Sequence, residues 1–136
     1  MFKAVAFNHK KTIEVKDKDV ILDSFVIEFK RFTDKQRADL LAEIISEAKS
    51  LDASLENIND VSVIKESIGK SINVSVGRIK LSIAGWDGVT DAEGEQVAFT
   101  SENLDKLLEW REYRTPIEVA FIKTLTESAL EEAAKN

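Results

Sequence analysis

The chain has 136 residues, 43% apolar and 32% charged, with no cysteine and a formal net charge of −6. That length and balance fit a single domain with a real core and exclude a disordered chain. The missing cysteines exclude disulfides and thiolate metal sites and fit a reducing compartment. No run approaches the roughly 20 apolar residues of a membrane span. Residues 1–7 are too short for a signal peptide, so a cytoplasmic protein is expected. Residues 87–136 carry twelve acidic and five basic side chains, which argues against a nucleic-acid binder. The one basic cluster, Lys3, Lys10, Lys11, Lys16 and Lys18, is interleaved with Glu14, Asp17 and Asp19 and reads as a solvated hairpin.

In chain order, three short stretches alternate with period two: Phe2, Ala4 and Ala6; Ile13 and Val15; Phe25, Ile27 and Phe29. They predict a small antiparallel sheet of two to three strands, with residues 16–19 as a connection. Thr33-Asp34-Lys35-Gln36 matches a capping box and opens a helix to about Leu51. Its predicted buried face is Leu41, Ile44, Ile45, Ala48 and Leu51. Asn57, Asn59 and Asp60 suggest a loop or a helix start. Then Ile68, Ile72, Val76, Ile79 and Ile83 form a helical stripe, while Ile72, Val74 and Val76, and Ile79, Leu81 and Ile83, also alternate like strands. β-branching favours strand and length favours helix. A helix is the expectation, interrupted near Gly69, with Gly69 and Gly77 each weakening it by about 1 kcal/mol. A turn at 85–88 follows, then a second at Glu93-Gly94 and an extended piece through Val97 and Phe99. Thr100 or Ser101 caps a helix carrying Leu104, Leu107 and Leu108 to about Tyr113. Thr115-Pro116-Ile117-Glu118 starts the last helix, which turns Ile117, Ala120, Phe121, Leu125 and Ala129 inward. The fold class is therefore α+β, mainly α: a small N-terminal antiparallel sheet packed with about four helices. One domain covers 1–136, β-rich over 1–32 and helical over 33–136.

No enzyme signature is present. Asp87, Asp91, Glu93 and Glu95 invite a calcium loop, but placing either Gly94 or Gly88 at the sixth position puts Val89 or Ile83 at the first, and both registers fail. His9, the single histidine, has no nucleophile elbow to serve. No P-loop or dinucleotide fingerprint occurs. No catalytic residue, metal or cofactor is expected. Trp86 reads first as closing the core, its indole N–H bonded to a loop carbonyl, and second as a partner anchor. Trp110, beside Leu107, Arg111 and Arg114, is expected to be partly exposed, as at a protein interface.

The ordered series Gly85-Trp86-Asp87-Gly88-Val89, Ala92, Gly94, Val97, Phe99-Thr100 and Glu102-Asn103-Leu104 to Leu107-Leu108 resembles the tail assembly chaperones of long-tailed, siphovirus-type bacteriophages and prophages. In that family a helix ends in a Gly-Trp-x-Gly-Val turn, followed by an acidic turn, an extension and a short leucine helix. The match covers about residues 83–125; the Phe29-Lys30-Arg31-Phe32 leader is similar but less specific, and the β-branched run 72–83 departs from the pattern. The resemblance implies a non-enzymatic protein of the bacterial host cytoplasm, absent from the finished virion. Its implied partners are the tape measure protein, the tail tube protein and further copies of itself, with neither nucleic acid nor membrane. It also implies protein-binding residues among Trp86, Leu104, Leu107, Leu108, Trp110, Arg111 and Arg114. A frameshifted longer form is a further implication, since Ala134-Lys135-Asn136 can be encoded with a slippery heptamer; the gene sequence decides it. The competing expectation is a small regulatory or ligand-binding domain with a pocket near Trp86.

Overall fold

The computed structural model describes residues 8–56 and 60–127. Strands β1 (His9–Asp17) and β2 (Val20–Phe29) form a hairpin, followed by helices α1 (Asp34–Glu56) and α2 (Val61–Ser82). Strand β3 (Ile83–Asp87) then joins β2, and α3 (Ser101–Leu108) and α4 (Arg111–Thr126) complete the chain. The sheet is antiparallel in the order β1-β2-β3. The molecule is α+β and mainly α, as the periodicities predict. The alternation at Phe2, Ala4 and Ala6, Asn57 and Asn59, Ala129 and residues 134–136 lie outside the described residues.

The hairpin turns on Lys18-Asp19, and Lys18 takes a left-handed φ of 56°. Lys16 and Asp17, expected in the connection, extend β1 instead. Ile13, Val15, Phe25, Ile27 and Phe29 all point to one buried face, as a period of two requires. Asp23 pairs with Val15 and Ile21 with Lys16, so Leu22 is an extra residue on β2. Past this bulge the face is lost, and Val20, Ile21 and Leu22 are all exposed.

The third strand is the main departure from the sequence expectation. The helix was expected to run to a turn at 85–88. Instead α2 stops at Ser82, and the chain goes straight into β3 with Ile83 already extended (φ −92°, ψ 128°). A second bulge explains how β3 serves the core. Ile83 opposes Phe29 and Trp86 opposes Ile27, with Ala84 as the extra residue. A regular strand puts positions three apart on opposite faces. The bulge at Ala84 lets both Ile83 and Trp86 face inward. The turn proper is Gly88, at φ 82°, where a side chain would be strained.

The expected capping box forms. Gln36 N–H donates to Thr33 Oγ1 at 3.2 Å, and Thr33 N–H donates to Gln36 Oε1 at 2.9 Å. Helix α2 runs unbroken through Gly69, which settles the helix-or-strand ambiguity up to Ser82. A strand there would have to be about four times the usual length. Asp60 caps it by accepting from Ser62 N–H at 2.9 Å. Thr100 caps α3 by accepting from Asn103 N–H at 3.1 Å. The last helix begins at Arg111 rather than Thr115, leaving Pro116 inside it, and α3 ends at Leu108 rather than near Tyr113. Trp110 O accepts from both Tyr113 N–H and Arg114 N–H, so the helical ladder is nucleated five residues before the proline. Pro116 then removes one bond only, the one to Glu112.

The core lies between the sheet and α4, which supplies Ile117, Ala120, Phe121 and Leu125 as expected. Phe29 and Phe121 meet with ring centroids 6.0 Å apart. Phe25 stacks on Tyr113 at 6.0 Å, and Tyr113 Oη donates to Asp23 Oδ2 at 2.9 Å. Leu104 and Leu108 close one end, with Ile79 and Ile83 from α2 and β3. Helix α1 sits outside this core. Leu41 and Ile44 pack partly against it, but Ile45 and Ala48, expected on the buried face, are exposed. Its attachments are polar: Arg37 Nη1 donates to the α4 C-terminal carbonyl of Glu127 at 2.8 Å, and Arg78 of α2 pairs with Glu47.

Candidate interaction surface

The residues singled out in the sequence do not form one surface. Leu104 and Leu108 are fully buried, and Leu107 packs against the same core. Arg114 is half-buried, and its Nη1 donates to Leu108 O at 2.9 Å, which satisfies a free carbonyl at the end of α3. Trp86 is half-buried; its indole N–H donates to Val97 O at 2.8 Å, and its ring meets Phe99 edge-on at 5.1 Å. The expected core-closing role of Trp86 is thus realised. Trp110 and Arg111 are the members that face solvent, and Trp110 is 63% exposed at the corner between α3 and α4.

The acidic turn is held by its own backbone. Asp91 Oδ1 accepts from Glu93 N–H at 2.9 Å and Glu95 N–H at 3.0 Å, and Gly94 follows at φ 80°. Thr90 and Gln96 bridge across its base, and Val97 N–H donates to Val89 O at 2.9 Å. Asp91 thereby builds an Asx turn, the ordinary use of this residue in a tight loop. His9 begins β1. Among the described residues no three or more His, Asp or Glu side chains are grouped to hold a metal. No helix of the described residues is long and apolar enough to cross a membrane.

Among the described residues two titratable groups are displaced. Burial, then the hydrogen bond to Asp23, then its charge push Tyr113 above its usual 10.0. The side-chain and then the backbone hydrogen bond from Ser62 hold Asp60 below its usual 3.8. Both follow from structural contacts, a ring stacked at the sheet and a helix cap, so neither marks a reactive centre.

Two open grooves are larger than the rest. One, of about 900 Å³, lies between β1 and α4 and is bordered by Lys11, Lys16, Arg111, Pro116, Val119 and Lys123. The other, of about 1020 Å³, lies between α1 and α2 and is bordered by Phe32, Leu40, Val74 and Leu81. Trp86 borders neither of these, nor any of the three smaller clefts described. The sequence reading placed Val74 and Leu81 in the competing strand alternation, off the helical stripe of Ile72, Val76 and Ile79, and named neither as a binding residue. That position was itself the signal: Leu81 is 75% exposed and Val74 41%. No protein-family model, curated protein or solved structure matches the chain.

Proposed function

We propose that the chain is a non-enzymatic tail assembly chaperone of a siphovirus-type phage or prophage. It works in the host bacterial cytoplasm, binding the tape measure protein, and the tail tube protein, before the tail is finished. The observation that carries this reading is the ordered Gly-Trp-Asp-Gly-Val series and its continuation to Leu108. These positions contact one another and act as a unit. Trp86 bonds Val97 and touches Phe99, Val97 bonds back to Val89, Asn103 Nδ2 donates to Ala98 O at 2.9 Å, and Thr100 caps the helix of Leu104 and Leu108. A resemblance over residues that form one joint is less easily met by chance than one over scattered residues. Large apolar side chains outside the core, Ile45, Val74, Leu81 and Trp110 among them, suit a protein that covers the apolar stripe of another.

The test is co-expression with the tape measure protein encoded beside this gene. The expected outcome is a tape measure that stays in the soluble fraction and co-purifies with this chain. A tape measure that is equally insoluble with and without the chain rejects the proposal.

A further inference from the structure

We infer that the groove between α1 and α2 holds one amphipathic helix of a partner protein, with lysine or arginine flanking its apolar stripe. The inference deepens the chaperone reading and rests on it for the partner's identity; the groove itself stands on three observations.

The first is the poor burial of a long helix pair. Helices of 23 and 22 residues lie together, yet among the residues whose burial is described only Ile79 and Ser82, near the end of α2, are fully buried. The groove shares Ser46, Glu47 and Val74 with the next cleft along, so the trough follows α1 from Asp39 to Leu51. At 1.5 Å per residue that is about 18 Å, or three turns of a docked helix.

The second is Gly77, an exposed residue three after Val74 and four before Leu81 on α2. Nothing described lies within 4 Å of where its Cβ would stand. Glycine weakens a helix interior, and no contact among the described residues requires it here. Three- and four-residue spacing puts it next to Val74 and Leu81, so its absent side chain leaves open space beside the groove for a second helix.

The third is charge. Asp39, Glu43 and Glu47 form a row at four-residue spacing along the α1 lip, an arrangement that opposes the helix. Among the described residues Lys70 borders the next cleft along, and Arg78 borders this groove and is already committed. Its Nη2 bonds Glu47, and its Nε, buried without a hydrogen-bond acceptor, lies 3.8 Å from Glu43 Oε2. Asp39, Glu43 and Glu47 against Arg78 and Lys70 leave the trough acidic by one charge. A basic helix complements it, whereas a second copy of this chain would bring the same acidic row against it.

The probe is a short helical peptide of leucine and lysine, beside its leucine and glutamate counterpart, titrated into the whole protein and followed by NMR. Leu40, Val74 and Leu81 signals should move with the lysine peptide, which should bind at least tenfold more tightly than the glutamate one. Gly77→Leu should cut that affinity at least tenfold with the circular dichroism unchanged. Should Gly77→Leu not fold, Asp39→Asn with Glu43→Gln takes its place and should weaken binding severalfold, while Glu93→Gln with Glu95→Gln should not. Equal binding of both peptides, shifts confined to other surfaces, or full affinity in the groove variants overturns the inference. So does a dimer that Gly77→Leu dissociates. In co-expression, a tape measure rescued equally by wild type and Gly77→Leu overturns the groove but leaves the chaperone reading standing. Peptide binding in the groove without tape measure rescue does the reverse.

Discussion

Single side chains hold the two junctions that the sheet depends on. Trp86 ties β3 to the segment before α3 through one hydrogen bond to Val97 O. Trp86→Phe keeps the ring and strands that carbonyl, so a loss of about 1 kcal/mol is expected in urea unfolding. Tyr113 ties α4 to β2 through Asp23 while its ring stacks on Phe25. Tyr113→Phe isolates the hydroxyl, and because the site is only partly buried the expected loss is at the low end, about 0.5 kcal/mol. The same hydroxyl predicts a pH dependence. Its pKa is raised in the folded state, so its stabilising share is complete below 10.0 and is lost as pH rises through the folded value. Comparing wild type and Tyr113→Phe in alkaline melts checks the sign: the wild type should lose its advantage on the way up. At this scale the sequence was informative wherever a residue has a polar end and an apolar body. The bonding of the Trp86 indole was readable, but its acceptor lies eleven residues away across a turn and was not.

Whole elements obey local rules until a neighbour overrides them. The cap Thr33 was legible, Thr100 was one of two candidates beside Ser101, and Asp60 was one of three residues marking a loop or a helix start; capping is a contact over two or three residues. Asp60 adds a second pH test. Its pKa is lowered on folding, so its contribution is present above 3.8 and fades as pH falls through the folded value. Helicity measured down an acid titration should fall earlier in wild type than local charge alone explains, and Asp60→Asn should flatten that part of the curve. The glycines of α2 give a test of opposite sign. Nothing described lies within 4 Å of a Cβ at Gly69 or Gly77, and both are helical. Alanine at either should therefore raise stability by about 1 kcal/mol, read as a higher melting temperature. A loss would mean that an internal contact had been missed. The element least legible was β3. Its five residues follow a helix without a connecting turn, and only pairing with β2 makes them a strand.

Across the whole molecule the core is shared, because β2, α4, α3 and the end of α2 all contribute to one cluster. Phe121→Ala removes a ring that touches Phe29 at its centre, and a loss of about 3–5 kcal/mol is expected. That is a large part of the stability of a domain this size. Since sheet and helices share the cluster, far-ultraviolet circular dichroism and tryptophan fluorescence should report one coincident unfolding transition. Two separated transitions would show that the α1 and α2 pair unfolds on its own. That pair buries little of its length, and it carries the acidic groove.

The sequence by itself determined the α+β class, the hairpin face, the helix start at Asp34 and, to within a residue, that at Ser101, the inward face of α4 and the turns at Gly88 and Gly94. Each follows from periods and caps that act over a few residues. Only the tertiary structure decided that β3 completes the sheet, since the bulge at Ala84 has meaning only opposite Phe29 and Ile27. It also decided which apolar stripes are covered. Ile45 and Ile68 sit on well-formed helical stripes yet stay exposed, because amphipathic spacing fixes which face is apolar and not whether anything lies against it. Leu104, Leu108 and Arg114 went the other way, from candidate surface to core and cap, when α3 and α4 folded against each other.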